Sequence, residues 1–558
     1  MNRAEIKKTL DQLVDIDNIS DQHTAAAIKI LFNLVEVLTE QSTAQQETIQ
    51  KQADEINRLK GEQGKPDFRK QTKDDNQNSD HSSEDDRKNR ENKEPSKPKI
   101  KKKEEVKIDK EVILEMDQDA LPADAEFKGY ETRVIQDIKI STDNIKFLLA
   151  TYYSRAQKKS FITPLPNGYH GEFGPGIRST IITLYRDSGM TESAIRRFLS
   201  TFGISIAAST ISNMITEDHE RFHEEKESII DAGLQAGPYQ HIDDTGCRVD
   251  GKNAYAHILC NVLFTAFFTR PKKDRLTILE ILCREELKYE FNNDTYDLTL
   301  ELGLSNKRLM ELKKAIQEKT TLSRAELDNI LKQFFPNPKK HKASRRVITE
   351  ASALIYYRNS NFAIEHLICD DAPQFNKIAK FKSLCWIHEG RHYKKLDPII
   401  ATHRKSLDDF NEKFWDYYAA LLAYKQNPSK TLAEQLAEDF DSLFSIKTGY
   451  DALDARIAMT LLKKESLLLV LKFPFLPLHN NPAELGARVQ ARMRDINLQT
   501  ISANGTKTKD TFATIVQTAR KLGVNIYDYV YDRISEAYKM PSLSSLITRQ
   551  ANANHNTA

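Results

Sequence analysis

Three acidic positions in this 558-residue chain are hard to explain as structure alone. Asp243 and Asp244 interrupt an apolar stretch, Tyr239 to Cys247, that reads as a β-strand. Carboxylates are poor strand formers and costly to bury, so a pair of them there calls for a cation. Asp370-Asp371 closes a second apolar strand, Ala363 to Cys369, at the end where α/β sheets place their chemistry. Ala372-Pro373 follows directly, so a turn accounts for that pair equally well on local grounds. Glu484 comes after His479-Asn480-Asn481-Pro482-Ala483. With Asn481 as N-cap and Pro482 at N1, Glu484 falls at N3, where a capping box explains it without a metal. Together, two strand-borne aspartates and a helical glutamate make a set of hard oxygen donors. Two divalent ions, Mg²⁺ or Mn²⁺, roughly 3.5–4 Å apart could then clamp the attacking and leaving oxygens of a phosphodiester.

Positioning such a set takes a sheet. The pattern predicts three strands, Tyr239 to Cys247, Ala254 to Cys260 and Leu263 to Thr269, with Asp250-Gly251 as the first hairpin turn. Upstream, Thr191 to Ile215 reads as a helix-turn-helix. Thr191 caps a first helix with Ala194, Ile195, Phe198 and Leu199 on its apolar face, and Gly203 makes the turn. Ser205 caps a second helix with Ala208, Ile211 and Ile215 inward. That leaves Arg196, Arg197, Ser209, Thr210, Ser212 and Asn213 outward, side chains suited to phosphates and base edges, although an ordinary helical hairpin has the same spacing. Thr132 to Ile140 reads as strand-like, and Ile177 to Leu184 as the start of an apolar helix.

The N-terminal sixty residues carry Ile28, Leu31, Val35, Leu38, Ser42, Gln45, Ile49, Gln52, Ile56 and Leu59 at alternating steps of three and four, the seam of a coiled coil. A single amphipathic helix packed on its own domain is the other reading. Arg69 to Lys99 contains no aliphatic or aromatic residue and cannot offset its ordering entropy, so the tract is expected to be disordered. The net charge is only +2, which leaves nucleic-acid affinity to local patches such as Lys97 to Lys103 or Lys339 to Arg346; a solvated linker or insertion face reads as well. No leader peptide is expected, and no apolar run is long enough to span a bilayer. The five scattered cysteines read as reduced thiols. Cys385, His388 and His392 have the spacing of half a zinc site but lack a second pair. Their segment is expected instead to be a helix beside the active site, with His388, Arg391 and Lys394 or Lys395 near DNA phosphates. Arg488 and Arg492 share the helix face of Glu484, as an ion-pair ladder or as phosphate contacts.

Several motifs resemble the transposases of insertion-sequence family sixty-six, over roughly residues 128–535. They are His241-Ile242-Asp243-Asp244-Thr245 with Val249-Asp250-Gly251-Lys252, Cys385-Trp386-Ile387-His388, Leu476 to Glu484 running into Arg488, and Thr518 to Val524 with Tyr527 and Tyr529. The resemblance implies that Asp243, Asp370 and Glu484 are the catalytic, metal-binding triad of a ribonuclease-H-like core. It also implies a helix-turn-helix and an N-terminal coiled coil. His479 replaces the family's usual Asp, Leu485 the usual Arg, and the cysteine-rich zinc module is missing.

The expected architecture is α/β: a coiled-coil region (1–62), a disordered linker (63–107), a DNA-binding region (108–235), a catalytic domain (236–505) with a helical insertion (about 271–360), and a C-terminal helical tail (506–558). The expected activity is metal-dependent cleavage and strand transfer at the ends of a mobile element in double-stranded DNA. A cytoplasmic, nucleoid-associated homo-oligomer with accessory proteins fits that activity. The rivals are a non-catalytic DNA-binding protein of the same fold and an interaction protein acting through the coiled coil.

Overall fold

A computed structural model describes residues 21–59, 108–116, 127–316, 320–337 and 339–555. The tract expected to be disordered, 63–107, and its lysine cluster lie outside them. The described residues fall into two compact units. The smaller takes in the described parts of 73–165 together with 196–206, and the larger holds the rest.

In the smaller unit, β1 (Thr151–Ser154) and β2 (Lys159–Ile162) form an antiparallel hairpin with Tyr152 opposite Phe161. Thr132 to Ile140, expected as a strand, forms none. Its apolar residues Val134, Ile135, Ile138 and Ile140 are exposed. Alternation alone does not make a strand without a partner to take its hydrogen bonds.

The larger unit begins with α1 (Gln22–Leu59). Phe32, flanked by Ile28 and Val35, packs on Ile399 and Ile400. Glu36 accepts hydrogen bonds from the Ile399 and Ile400 amides, 3.0 Å each, and Asn33 bonds Gly449 and Asp451. The expected seam is therefore split. Ile28 and Val35 are used within the chain, while Leu31, Leu38 and Ile49 are exposed.

Next come α2 (Pro175–Arg186), α3 (Glu192–Ser200), whose residues from Arg196 on belong to the smaller unit, α4 (Ala208–Thr216) and α5 (Glu220–Gln235). The Ala194 amide donates to Thr191 Oγ1 at 3.3 Å, as a cap should. Ala207, not Ser205, is the N-cap of α4, with no side-chain bond. Ile211 and Ile215 are buried as expected, but Ala208 is exposed, because it opens the helix before the apolar face begins.

The centre is a five-stranded mixed sheet of order β5-β4-β3-β8-β9. β3 (Gln240–Val249), β4 (Lys252–Cys260) and β5 (Thr265–Arg270) are an antiparallel meander, close to the sequence expectation. Asp250 (φ 49°) and Gly251 (φ 71°) make the first turn, both in the left-handed region that matches strand twist. The insertion follows: α6 (Arg275–Leu282), β6 (Tyr289–Phe291), α7 (Asn293–Glu301), α8 (Asn306–Ala315), β7 (Thr320–Leu322), α9 (Arg324–Phe334) and α10 (Lys342–Arg358). It is largely helical, as expected, and carries its own β6–β7 pair. The chain re-enters the sheet with β8 (His366–Cys369) and β9 (Phe381–Leu384), parallel to β3 and to each other.

A second helical region was not anticipated. After α11 (Trp386–Lys394), α12 (Ala401–Gln426), α13 (Lys430–Leu443) and α14 (Asp451–Leu461) enclose a separate core around Trp386, Phe414, Tyr418 and Phe440. The chain then reaches α15 (Asn481–Asn497), which lies across the sheet at β3 and β4. Gly486 allows that approach, since a Cβ there would stand 2.7 Å from Ile258 Cγ2.

The described part of 506–558, expected as a helical tail, is largely helical, but α16 (Ala503–Lys521) belongs to the sheet. The amides of Thr265, Phe267 and Thr269 on edge strand β5 donate to Thr518 Oγ1, Thr514 Oγ1 and Asp510 Oδ2. Two strand residues advance about 6.6 Å and four helical residues about 6 Å, so the two periods match. The exposed edge is thereby closed by side chains instead of another strand. α17 (Ile526–Ile534) and α18 (Leu543–His555) complete the core behind α16.

Candidate active site

The strand register brings the two aspartates together. His241 pairs with Ile368 across β3 and β8, so two residues further Asp243, inside β3, stands beside Asp370, just past the end of β8. Parallel neighbours are about 4.8 Å apart and alternate in step, so both carboxylates belong to one face. Glu484 arrives from the first turn of α15. That turn is tied down by Asn480, which is fully buried. Its Oδ1 lies 2.9 Å from His241 Nδ1, its Nδ2 donates to Ile242 O at 2.8 Å, and its amide donates to Cys385 Sγ at 3.2 Å.

Asn480, not Asn481, is the helix N-cap, and Glu484 is one place beyond N3. No capping box forms. Glu484 Oε2 instead accepts from Arg391 Nη2 at 2.7 Å, and Oε1 lies 3.5 Å from His388 Nδ1. Oε1 is buried without a hydrogen bond. The local explanation for this glutamate therefore fails, and what it faces is α11 and the two aspartates.

The electrostatics separate each aspartate from its neighbour. Burial, reinforced by Asp370 and Glu484 nearby, pushes Asp243 up to about 7. A carboxyl held there is short of a compensating cation. Asp244 is served by Lys273 at 3.3 Å and Gln374 at 2.8 Å. Asp371 pairs with Lys463 at 2.7 Å and Lys382 at 3.4 Å. Burial alone would raise Asp371, but those two lysines more than offset it. Asp370 accepts only the Ala372 amide among the hydrogen bonds of the described residues. Thus Asp243 has Asp370 and Glu484 as nearby like charges, while Asp244 and Asp371 are paired with lysines.

Among the described residues, the one group of three ligand-type side chains whose atoms lie mutually within 4.8 Å is Cys385, His388 and Glu484; Asp243, Asp370 and Glu484 do not meet that spacing. His392 is not part of it, so the zinc spacing read from sequence does not assemble. Burial pushes the Cys385 thiol up to about 12 and lowers His388, which makes that corner a neutral thiol and imidazole beside the carboxylate. All five cysteines are free and buried.

His388 and Arg391 do lie beside the candidate centre, with Arg391 already engaged by Glu484. Arg492 is exposed and Arg488 half-buried further along α15. Arg196, Arg197, Ser209 and Asn213 are exposed; Thr210 and Ser212 are half-buried. The sequence reading missed Asn480, Lys463 and the buried Glu389. Glu389 is bonded by Arg456 and Thr460 and lies 3.1 Å from Lys463, anchoring the lysine that neutralises Asp371. A buried Asn beside the helix Pro was a visible signal; an ion pair between Asp371 and a lysine some ninety residues away was not.

Residues 170–297 match the family model described as Transposase IS66 family, which supports the resemblance read from the motifs. The match spans β3 with Asp243, and stops before Asp370 and Glu484. A relative in Sinorhizobium fredii (strain NBRC 101917 / NGR234), the uncharacterized protein y4jO, is 28% identical over 325 residues, covering 58% of this chain and all of the relative. No helix among the described residues is long and apolar enough to cross a membrane.

Proposed function

We propose that this chain is a DNA transposase in which Asp243, Asp370 and Glu484 hold divalent cations, Mg²⁺ or Mn²⁺, for cleavage and joining of a mobile element's ends. The observation that carries this reading is the segregation of the acids. Of five carboxylates on β3, after β8 and on α15, two are neutralised by lysines, and the three without a lysine include one raised to about 7. Among the described residues, Arg391 supplies the one arginine or lysine partner of the triad, on Glu484. Carboxylate oxygens suit a hard divalent ion, and a surplus of negative charge is what such an ion relieves. When bound, the ions would supply charge stabilisation at the phosphodiester. The chain's own contribution is to hold the three carboxylates in place through the β3–β8 register and Asn480. The mixed sheet, a meander followed by two parallel strands, is consistent with the ribonuclease-H-like core expected from the resemblance.

The helix pair α3 and α4 is assigned to DNA contact, with Arg196, Arg197, Ser209, Thr210, Ser212 and Asn213 as its contacts. His388, Arg391, Arg488 and Arg492 are assigned to the backbone beside the metals. A homo-oligomer through the exposed face of α1, with Leu31 and Leu38, completes the reading, as do element-encoded accessory proteins and residence on the nucleoid.

The test is Mg²⁺-dependent nicking and joining of duplexes cut from the DNA flanking the gene. The wild type and Asp371→Asn act; Asp370→Asn and Glu484→Gln bind the duplex without cutting it. Cleavage by Asp370→Asn, or none by the wild type on DNA it binds, refutes the reading and favours a non-catalytic DNA-binding protein.

A further inference from the structure

Some distance from the acids, a cavity of about 230 Å³ opens where the end of β3, the end of α15 and the start of α16 meet α2 and α4. Its charged lining is Arg186, Arg248, Arg494 and Lys509 against a single carboxylate, Glu192. Burial pushes that carboxyl upward, against the opposing pull of Arg186 and a hydrogen bond with Ser212. Arg494 donates to the Gly246 carbonyl, not to an acid. Arg186 stacks 4.7 Å from the Tyr185 ring and donates to Ile215 O at 3.3 Å, while its Nε is buried without a hydrogen bond. Burial pulls it down to about 10, so it stays charged at neutral pH. A walled cationic cavity with an unsatisfied guanidinium N–H fits an anion with a flat, stackable body.

The rim adds a second feature. Leu498, just past α15, has φ 55° and ψ −58°, and the Gln499 amide closes a three-residue turn onto Asn497 O. That is a strained conformation for leucine. It presents the Leu498 side chain 77% exposed, near the equally exposed Ile501. Apolar side chains held out beside a cationic surface are the devices by which proteins separate stacked bases.

We propose that this cavity receives one nucleotide of the bound DNA, drawn out of its stack, with Leu498 filling the vacated space and Arg248, Arg494 and Lys509 holding the phosphate. Its distance from the chemistry follows from the elements that join them. Ten residues of α15 separate Glu484 from Arg494, about 15 Å. Five residues of β3 separate Asp243 from Arg248, about 17 Å. At 3.4 Å per base pair the extruded nucleotide lies roughly four to five pairs from the reacting phosphate. Ser212 of α4 lines the same cavity, so the helix assigned to DNA contact and the helix carrying Glu484 would grip one stretch of strand. The inference rests on the DNA reading of the preceding subsection.

The experiment uses the full chain and duplexes from the DNA flanking the gene, with 2-aminopurine placed at successive positions. Binding is followed by mobility shift, unstacking by fluorescence and metal-dependent cutting by gel. The expected result is a severalfold fluorescence rise confined to one position, abolished by Leu498→Ala and weakened by Arg248→Gln or Lys509→Gln. No binding, or binding with quenched fluorescence at every position, overturns the proposal. Cutting without unstacking overturns it and leaves the transposase reading standing. Unstacking without cutting supports the cavity and sinks the proposed activity. Free dAMP and inorganic phosphate form the last arm: saturable dAMP binding sensitive to Arg248→Gln, with no unstacking of duplex, would make this a free-nucleotide site and overturn the DNA assignment.

Discussion

The central sheet buries polar groups at both the β5 edge and the β3–β8 end, and treats them in opposite ways. At the β5 edge every donor is answered. Thr269 gives both its amide and its hydroxyl to Asp510, and Thr514 and Thr518 take the amides of Phe267 and Thr265. Buried Lys226 adds its charge close to Asp510. Where β3 meets β8, Asp243 is raised to about 7 with Asp370 and Glu484 as nearby like charges, and Glu484 Oε1 has no hydrogen bond. A polar network that closes on itself is structural; one that stays open stores a demand for something outside the chain. The two aspartates of that end are not special by type, since Asp244 and Asp371 sit next to them with their demand already met.

The largest effect expected is on activity. Asp243→Asn or Asp370→Asn should cost several kcal/mol of transition-state stabilisation, at least about a hundredfold in strand cleavage. Single-turnover nicking measures it, with Asp510→Ala, corrected for folded fraction, as the comparison that should leave the rate unchanged.

On stability the order reverses. Asp510→Ala opens the closed network and strands the Thr269 amide and hydroxyl, a loss of about 1–3 kcal/mol for each stranded group by denaturant unfolding. Thr514→Val strands one amide and should cost about 1–3 kcal/mol. Gly486→Ala puts a methyl against Ile258 and should cost about 1–3 kcal/mol. It should also slow cleavage by shifting Glu484, with part of the stability restored by Ile258→Val. Asp243→Asn should move stability the other way when no metal is present. A carboxyl raised from 3.8 to about 7 binds more protons folded than unfolded, so metal-free stability falls as pH rises through that window. The wild type should lose Tm between pH 5 and 7.5 relative to Asp243→Asn, by an amount worth at most a few kcal/mol. A matched pH profile in the two proteins would mean that the open end is not open.

Much of this contrast was legible before the structure. The meander, its Asp250-Gly251 turn and the oddity of Asp243 follow from alternation and turn chemistry, both local. The choice between Asp370 and Asp371 could not be read, because it rests on Lys463 from a distant loop and on Glu389 holding that lysine. Glu484 was masked by a local rule that the structure sets aside: shifting the cap by one residue, to Asn480, turns the carboxylate from the helix end towards Arg391 and the aspartates. The threonines of α16 were in plain view at steps of four, yet read as part of a C-terminal helical tail, since nothing in a single helix says that a strand edge needs them. The α12–α14 core was likewise readable from Phe410, Phe414, Tyr417, Leu421 and Tyr424 at helical spacing. Thr132 to Ile140 shows the converse, a good strand pattern with no neighbour to pair it.

The most direct test of the contrast is calorimetric titration of Mn²⁺ into the full chain at pH 7.5. Saturable binding by the wild type and by Asp371→Asn, lost in Asp243→Asn and in Asp370→Asn, is the predicted result. Equal binding in Asp243→Asn, or none in the wild type, would contradict the assignment of Asp243, Asp370 and Glu484 as a divalent-cation site.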